Sequence, residues 1–284
     1  MPQIRALFNF FLACVTLLVT AGPAISLSQT MDTADYGVSF SDVVSLSHAQ
    51  PSQAVAYGSE VLQTVVQFAP SGKTKADIVL IHGGCWSNAY SRDHLSPLAS
   101  ALATAGYTVW LPEYRRVGDI GGGWPGSFDD VKAVLAYVAE QTESPLIAMG
   151  HSAGGHLVLL AAQKSDPRLD GVLALAPITD PAIYGAQEGS CQGMVREFLG
   201  GDLEDQLDIY QAASVEPHKL PVPATLLLGT EDPIVGIDQI AGFPPEQMRL
   251  IEGAGHFDLI HPKTAAFAIV LEKLNLLIRA GDTP

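Results

Sequence analysis

The chain has 284 residues, enough for one large α/β domain or two small ones, and 48% hydrophobic against 16% charged residues can build a sizeable core. Its 30 acidic and 15 basic residues leave a net charge of -15. That excess repels phosphate backbones and anionic membrane surfaces, so nucleic acid is excluded as an expected partner.

The first residues read as a targeting segment. Arg5 supplies a positive start, Ala6 to Val19 form a short apolar run, and Gly22 and Ala24 suit the −3 and −1 positions of a cleavage site. The run falls short of the roughly 20 residues of a full span, and no basic cluster follows it. The expectation is a signal peptide over 1–24, a secreted or periplasmic product over 25–284, and no stable membrane anchor. Cys14 would leave with the signal, so only Cys85 and Cys191 remain. In an oxidising compartment they can pair, or stay as two buried thiols; both readings are open. Their spacing matches no metal site.

Residues 25 to 50 are polar and Ser-rich and read as an extended segment. Val61 to Phe68 reads as an early strand, broken by Pro70-Ser71-Gly72-Lys73. Short continuous apolar runs follow at 78–81, 107–111, 146–149, 172–175 and 225–228. Without polar alternation, they predict strands buried on both faces of a parallel sheet. Helix-length stretches lie between or after them at 93–104, 128–140, 155–164 and 262–278. In the second, Val131, Val134, Leu135 and Val138 recur at helical spacing. Strand–helix alternation of this kind predicts a doubly wound α/β sheet. The stretch 180–220 breaks the rhythm. Too long for a bare loop, it predicts a cap insertion with short helices of its own, lying over the C-terminal edge of the sheet.

Chemistry concentrates in four places. Gly150-His151-Ser152-Ala153-Gly154 follows one strand and precedes a helix, the setting of a nucleophile elbow with Ser152 at its tip. His82-Gly83-Gly84-Cys85-Trp86 follows another strand. Gly83 and Gly84 would let backbone N–H groups approach a substrate oxyanion, with the N–H of Ala153 as a further donor. His82 reads as a structural residue that holds this loop. An acid and a base should follow the serine in that order. Asp232 lies after the strand ending at Leu228, and Pro233 can turn its carboxylate towards the site, which prefers it over Glu231. His256, in the Gly-flanked loop Gly253-Ala254-Gly255-His256-Phe257, is preferred over His261, His218, His94, His156 and His151. A carboxylate that orients an imidazole makes it a proton carrier for the serine.

Other features have plainer readings. Gly121-Gly122-Gly123-Trp124-Pro125-Gly126 lacks the Lys-Ser or Lys-Thr of a phosphate cradle. It predicts a loop opening the next helix, with Ser127 as the cap. Trp86 and Trp124 suit either an acyl pocket or core packing.

The motifs His-Gly-Gly-x-Trp (82–86), Gly-His-Ser-Ala-Gly-Gly-His (150–156), the acid loop and Gly-x-Gly-His-Phe (253–257) resemble the carboxylesterase and kynurenine-formamidase-like branch of the α/β hydrolases. They also resemble acetyl-esterase and feruloyl-esterase-like members. The resemblance runs from about Tyr57 to Ile278. It implies an eight-stranded, mostly parallel sheet with helices on both faces, and hydrolysis of a small-molecule ester or amide without metal or organic cofactor. By motif position it assigns Ser152, Asp232 and His256 to a triad, and Gly83, Gly84 and Ala153 to an oxyanion hole. Cys85 departs from the residues usual at its place, which bears on pocket shape. Glu113-Tyr114-Arg115-Arg116 is similar to the family's Asp-Tyr-Arg segment, which suggests a structural role. Small carboxylic esters are the expected substrates. The alternatives are an arylformamidase, another amidase or a secreted peptidase on the same machinery, and a silent binding protein on a hydrolase scaffold.

Overall fold

The structure, a computed structural model, describes residues 36–164 and 168–281. The signal segment expected over 1–24 lies outside the described residues. Eight strands form one sheet: β1 (Val55–Ala56), β2 (Thr64–Phe68), β3 (Asp77–Ile81), β4 (Thr108–Pro112), β5 (Leu146–His151), β6 (Gly171–Leu175), β7 (Ala224–Gly229) and β8 (Met248–Ile251). Their order is β1-β2-β4-β3-β5-β6-β7-β8. The pairs β1–β2 and β2–β4 are antiparallel, and every later pair is parallel. The five continuous apolar runs become β3 to β7. Every residue of β3, β5 and β6 is buried, as strands covered on both faces must be.

The helices are α1 (Phe40–Val44), α2 (Ser96–Thr104), α3 (Gly126–Gln141), α4 (Ala153–Lys164), α5 (Pro181–Gly185), α6 (Ser190–Leu199), α7 (Leu207–Ala213) and α8 (Ala265–Gly281). In α3 the predicted stripe Val131, Val134, Leu135 and Val138 is fully buried. α4 is buried along nearly its whole length and packs on β5 and β6. The stretch 180–220 contains α5, α6 and α7.

Two expectations are corrected. The stretch 25–50, read as extended, contains the helix α1. Ser127 does not cap α3, which starts a residue earlier at Gly126 without a side-chain cap. The Ser127 hydroxyl donates instead to the carbonyl of Arg115. Both tryptophans pack against aromatic rings, and neither lines the cavity beside Ser152. Trp86 is fully buried, stacked on Phe198 at 4.7 Å, and Trp124 stacks on Phe128 at 5.3 Å.

Parallel pairing sets the site. The register aligns Ile81 with Gly150, His151 with Leu175 and Gly229 with Ile251. The loops after β3, β5, β7 and β8 therefore leave the same edge of the sheet, and they carry Gly83, Ser152, Asp232 and His256 respectively.

Candidate active site

Ser152 sits between the last residue of β5 and the first of α4, with φ at 56°. That left-handed backbone is costly for a residue with a side chain, and the surroundings enforce it. A methyl group at Gly150 would collide with Gly154, and one at Gly154 with the carbonyl oxygens of Ile81 and His82. The Ser152 N–H is held by the Leu175 carbonyl of β6 at 2.8 Å. The hydroxyl is thus presented on a rigid turn at the N-terminus of α4, where partial positive charge gathers.

His256 donates Nδ1–H to Asp232 Oδ2 at 2.7 Å. Asp232 Oδ1 accepts from the N–H groups of Ile234 and Val235 at 2.8 and 2.9 Å, so the turn after Pro233 does aim this carboxylate. Both side chains are almost wholly buried. Glu231, the rival acid, is exposed. In this tautomer His256 Nε2 carries a lone pair and can accept a proton.

Two supports of His256 leave no signal in the sequence. His151 donates Nε2–H to the His256 carbonyl at 3.1 Å, joining the elbow to the loop after β8. Asp258, fully buried, accepts the Gly255 N–H at 2.6 Å and the Gly37 N–H at 2.9 Å.

The loop after β3 approaches the elbow closely. A methyl at Gly83 would lie 2.7 Å from the His151 carbonyl oxygen and 2.9 Å from Ser152 Cβ, so only glycine fits. Gly84 has φ at 101°, and Cys85 and Trp86 continue in the left-handed region. Ala153 is buried at the first position of α4, where backbone N–H groups have no intrahelical acceptor. His82 holds this loop as expected. It bonds to the Gly83 carbonyl and to Glu113 Oε1, both at 2.7 Å, and stacks on Tyr114. Burial works to raise the Glu113 carboxyl, but the His82 hydrogen bond and the Arg116 charge outweigh it and hold Glu113 below its usual range. Arg115 pairs with Asp130 at 2.6 Å, so the whole 113–116 segment is structural.

Ser152 and His256 open on a cavity of about 290 Å³, which Gly84 and Cys85 also line. Residues 188–192, from the segment preceding and starting α6, contribute to the same cavity. Cys85 and Cys191 are joined in a disulfide with Cα atoms 5.1 Å apart. Of the two readings left open, the paired one holds, and the bridge ties the Gly83–Gly84 loop to α6. The other histidines have different duties. His156 accepts from Trp86 and donates to Ala213 of α7, and burial lowers it to about 4. His94 lines the cavity, lowered to about 3 by burial and by its neighbour His82. His218 is exposed, and His261 receives a backbone N–H from Lys263. Among the described residues no group of three or more His, Cys, Asp or Glu could hold a metal ion.

The BD-FAE family model matches residues 66–243. The chain belongs to the BD-FAE family. Over 134 residues, 45% of the chain, it is 31% identical to a triacylglycerol lipase of Mycobacterium tuberculosis. The match spans only 30% of that relative's length. Among solved structures, this BD-FAE member resembles esterase B from Lactobacillus Rhamnosis with a TM-score of 0.67 at 20% identity, over 82% of this chain and 86% of that one. A truncated carbohydrate esterase from gut microbiota also gives 0.67, at 18% identity over 82% and 97%. Esterase 2 of Thermogutta terrifontis gives 0.65, at 19% identity over 81% and 94%. At such identities these likenesses establish the fold of the BD-FAE member: the α/β-hydrolase architecture expected from its motifs.

Proposed function

We propose that the protein is a serine hydrolase of small carboxylic esters, with Ser152 as nucleophile, His256 as general base and acid, and Asp232 as its orienting carboxylate. The observation that carries this reading is the 2.7 Å bond from His256 Nδ1–H to Asp232, beside a cavity that also holds Ser152 on its strained turn. The names of the relatives, a lipase and several esterases, point the same way.

In the proposed reaction Ser152 Oγ attacks the ester carbonyl carbon while its proton passes to His256 Nε2. Asp232 stabilises the imidazolium. The carbonyl electrons move onto oxygen, where the N–H groups of Gly83, Gly84 and Ala153 are the candidate donors. Collapse of the tetrahedral species expels the alcohol with the proton from His256, leaving an acyl-serine. Water, deprotonated by His256, then releases the acid and restores the serine.

Small substrates are favoured by the size of the cavity and by the bridge that ties its cap side to the Gly83–Gly84 loop. We also infer export, because a disulfide persists in oxidising compartments and the sequence carries signal-like residues before Ala24. The test is a serine-reactive alkyl phosphonate probe followed by peptide mapping, alongside nitrophenyl esters of graded acyl length and N-formylkynurenine. Labelling at Ser152, lost in Ser152→Ala together with turnover of short esters, is the expected result. Wild-type inactivity on every ester, with turnover of the formamide instead, would move the reading to an amidase.

A further inference from the structure

Two rings of one cavity wall come from outside the span that the BD-FAE model matches. Phe40 of α1 and Phe257 after His256 both fall beyond residues 66–243. The Phe40 ring lies 5.6 Å from each of three rings, those of Tyr90, His94 and Phe257, and all four residues line the cavity with Ser152. Phe257 in turn packs edge-on against the His256 imidazole at 5.1 Å. A ring near the start of the described chain therefore stands one ring away from the proposed base.

We propose that Phe40 is a specificity-determining residue, whose ring forms the wall that receives the uncharged apolar group of the ester and limits its length. This deepens the ester-hydrolase reading and rests on it.

A five-residue helix cannot hold a side chain in place unaided. Three features anchor α1. Ser39 and Asp42 cap it reciprocally, and Val43 is fully buried in the core. The N–H groups of Gly37 and Val38 donate to the Asp258 carboxylate, which also accepts the Gly255 N–H. One buried carboxylate thus fixes both the Phe40 segment and the His256 loop. The wall carries no formal charge: Phe40, Tyr90 and Phe257 are neutral, and burial keeps His94 so at ordinary pH. Among the described residues, the one carboxylate lining the cavity is Glu188, which belongs to the cap segment. An anionic group placed against the ring faces of this wall would lose water without gaining a charged partner.

The test compares wild type, Phe40→Ala and Phe40→Trp on nitrophenyl esters from acetyl to octanoyl, with melting temperatures recorded for each. Removing or enlarging a ring at a pocket wall changes discrimination by about tenfold or more. The ratio of kcat/KM for octanoyl over acetyl ester should rise by about that factor in Phe40→Ala and fall in Phe40→Trp. A uniform loss for all esters, or an unmoved ratio in both variants, would overturn the assignment. A second readout avoids turnover: calorimetric binding of straight-chain alcohols from ethanol to octanol. If the length limit for binding moves in Phe40→Ala while wild type hydrolyses no ester, the wall stands and the hydrolase reading falls. If esters turn over and neither profile moves, the reverse holds.

Discussion

Asp232 and His256 are locked together by a carboxylate with no spare oxygen. Oδ2 takes the imidazole Nδ1–H at 2.7 Å, and Oδ1 takes two backbone N–H groups from Ile234 and Val235. Asp232→Asn keeps the shape but replaces one acceptor with a donor. If the amide nitrogen faces His256, the imidazole must turn to the tautomer that protonates Nε2, and the proposed base is lost. If it faces the turn, it meets two N–H groups. The expected outcome is a fall in kcat of about 10⁴, the size seen when a triad carboxylate is neutralised. Glu231→Gln, at an exposed neighbour, should leave kcat close to wild type. Steady-state kinetics on a short-chain ester checks both, and the reversed pattern would reassign the acid.

Asp258 gives a second prediction. Its carboxylate gathers N–H groups from Gly37, Val38 and Gly255, and an asparagine there would set its own donor against at least one of them. A buried N–H left without an acceptor costs about 1–3 kcal/mol. Asp258→Asn should lower the melting temperature and also lower kcat by about tenfold, because the Gly255–His256 backbone is released. The separating measurement is kcat well below the melting temperature. A normal kcat there, with a lowered melting point, would make Asp258 a stabilising residue only.

The contrast between these two carboxylates shows what was legible in the sequence. Asp232 could be read because a buried strand, a turn-forming Pro233 and a late His256 occur in the order that the chemistry requires. Asp258 could not: its partner Gly37 lies 221 positions away, and a backbone N–H leaves no trace in residue type. Strands β3 to β7 were readable because burial on both faces leaves unbroken apolar runs. β8 was not, since at the sheet edge Arg249 and Leu250 are exposed and the run is interrupted. α1 carried only one sign, Ser39 three residues before Asp42, a capping box inside a polar stretch. Two cysteines allowed a single pairing, yet whether they met depended on where α6 settled against the Gly83–Gly84 loop, a tertiary fact.

Acid should destabilise the fold in a defined window. Burial holds His94 at about 3 and His156 at about 4, against an ordinary value of 6.5, and also depresses His151. Above pH 6.5 these side chains are neutral in both folded and unfolded chains, and their contribution is flat. As pH falls below 6.5 the unfolded chain binds protons that the native state refuses, so stability declines. The decline from His156 ends near pH 4 and that from His94 near pH 3. Each such group contributes a slope of about 1.4 kcal/mol per pH unit within its window. Urea unfolding at pH 7 and pH 5 should show a loss of several kcal/mol, and His156→Gln should shrink the difference. Equal stability at the two pH values would contradict the burial of these imidazoles.

The bridge between Cys85 and Cys191 sets the last expectation. It closes a loop of 106 positions, and a cross-link of that span removes enough unfolded-chain entropy to stabilise by about 4.7 kcal/mol. Cys85→Ser with Cys191→Ser should therefore lower the melting temperature by about 10 °C or more. Its functional effect follows from position. Both residues line the cavity, one beside Gly84 and the other at the start of α6, so cutting the bond frees the two sides to separate. The double variant should accept longer acyl chains than wild type. Unlike Phe40→Ala, it should do so with a large loss of thermal stability, and dithiothreitol should reproduce the change in wild type while leaving Phe40→Ala able to shift further. Mass spectrometry of the unreduced, denatured protein after iodoacetamide gives the direct check. Alkylation at Cys85 and Cys191 in the oxidised protein would remove the bridge and the specificity argument with it.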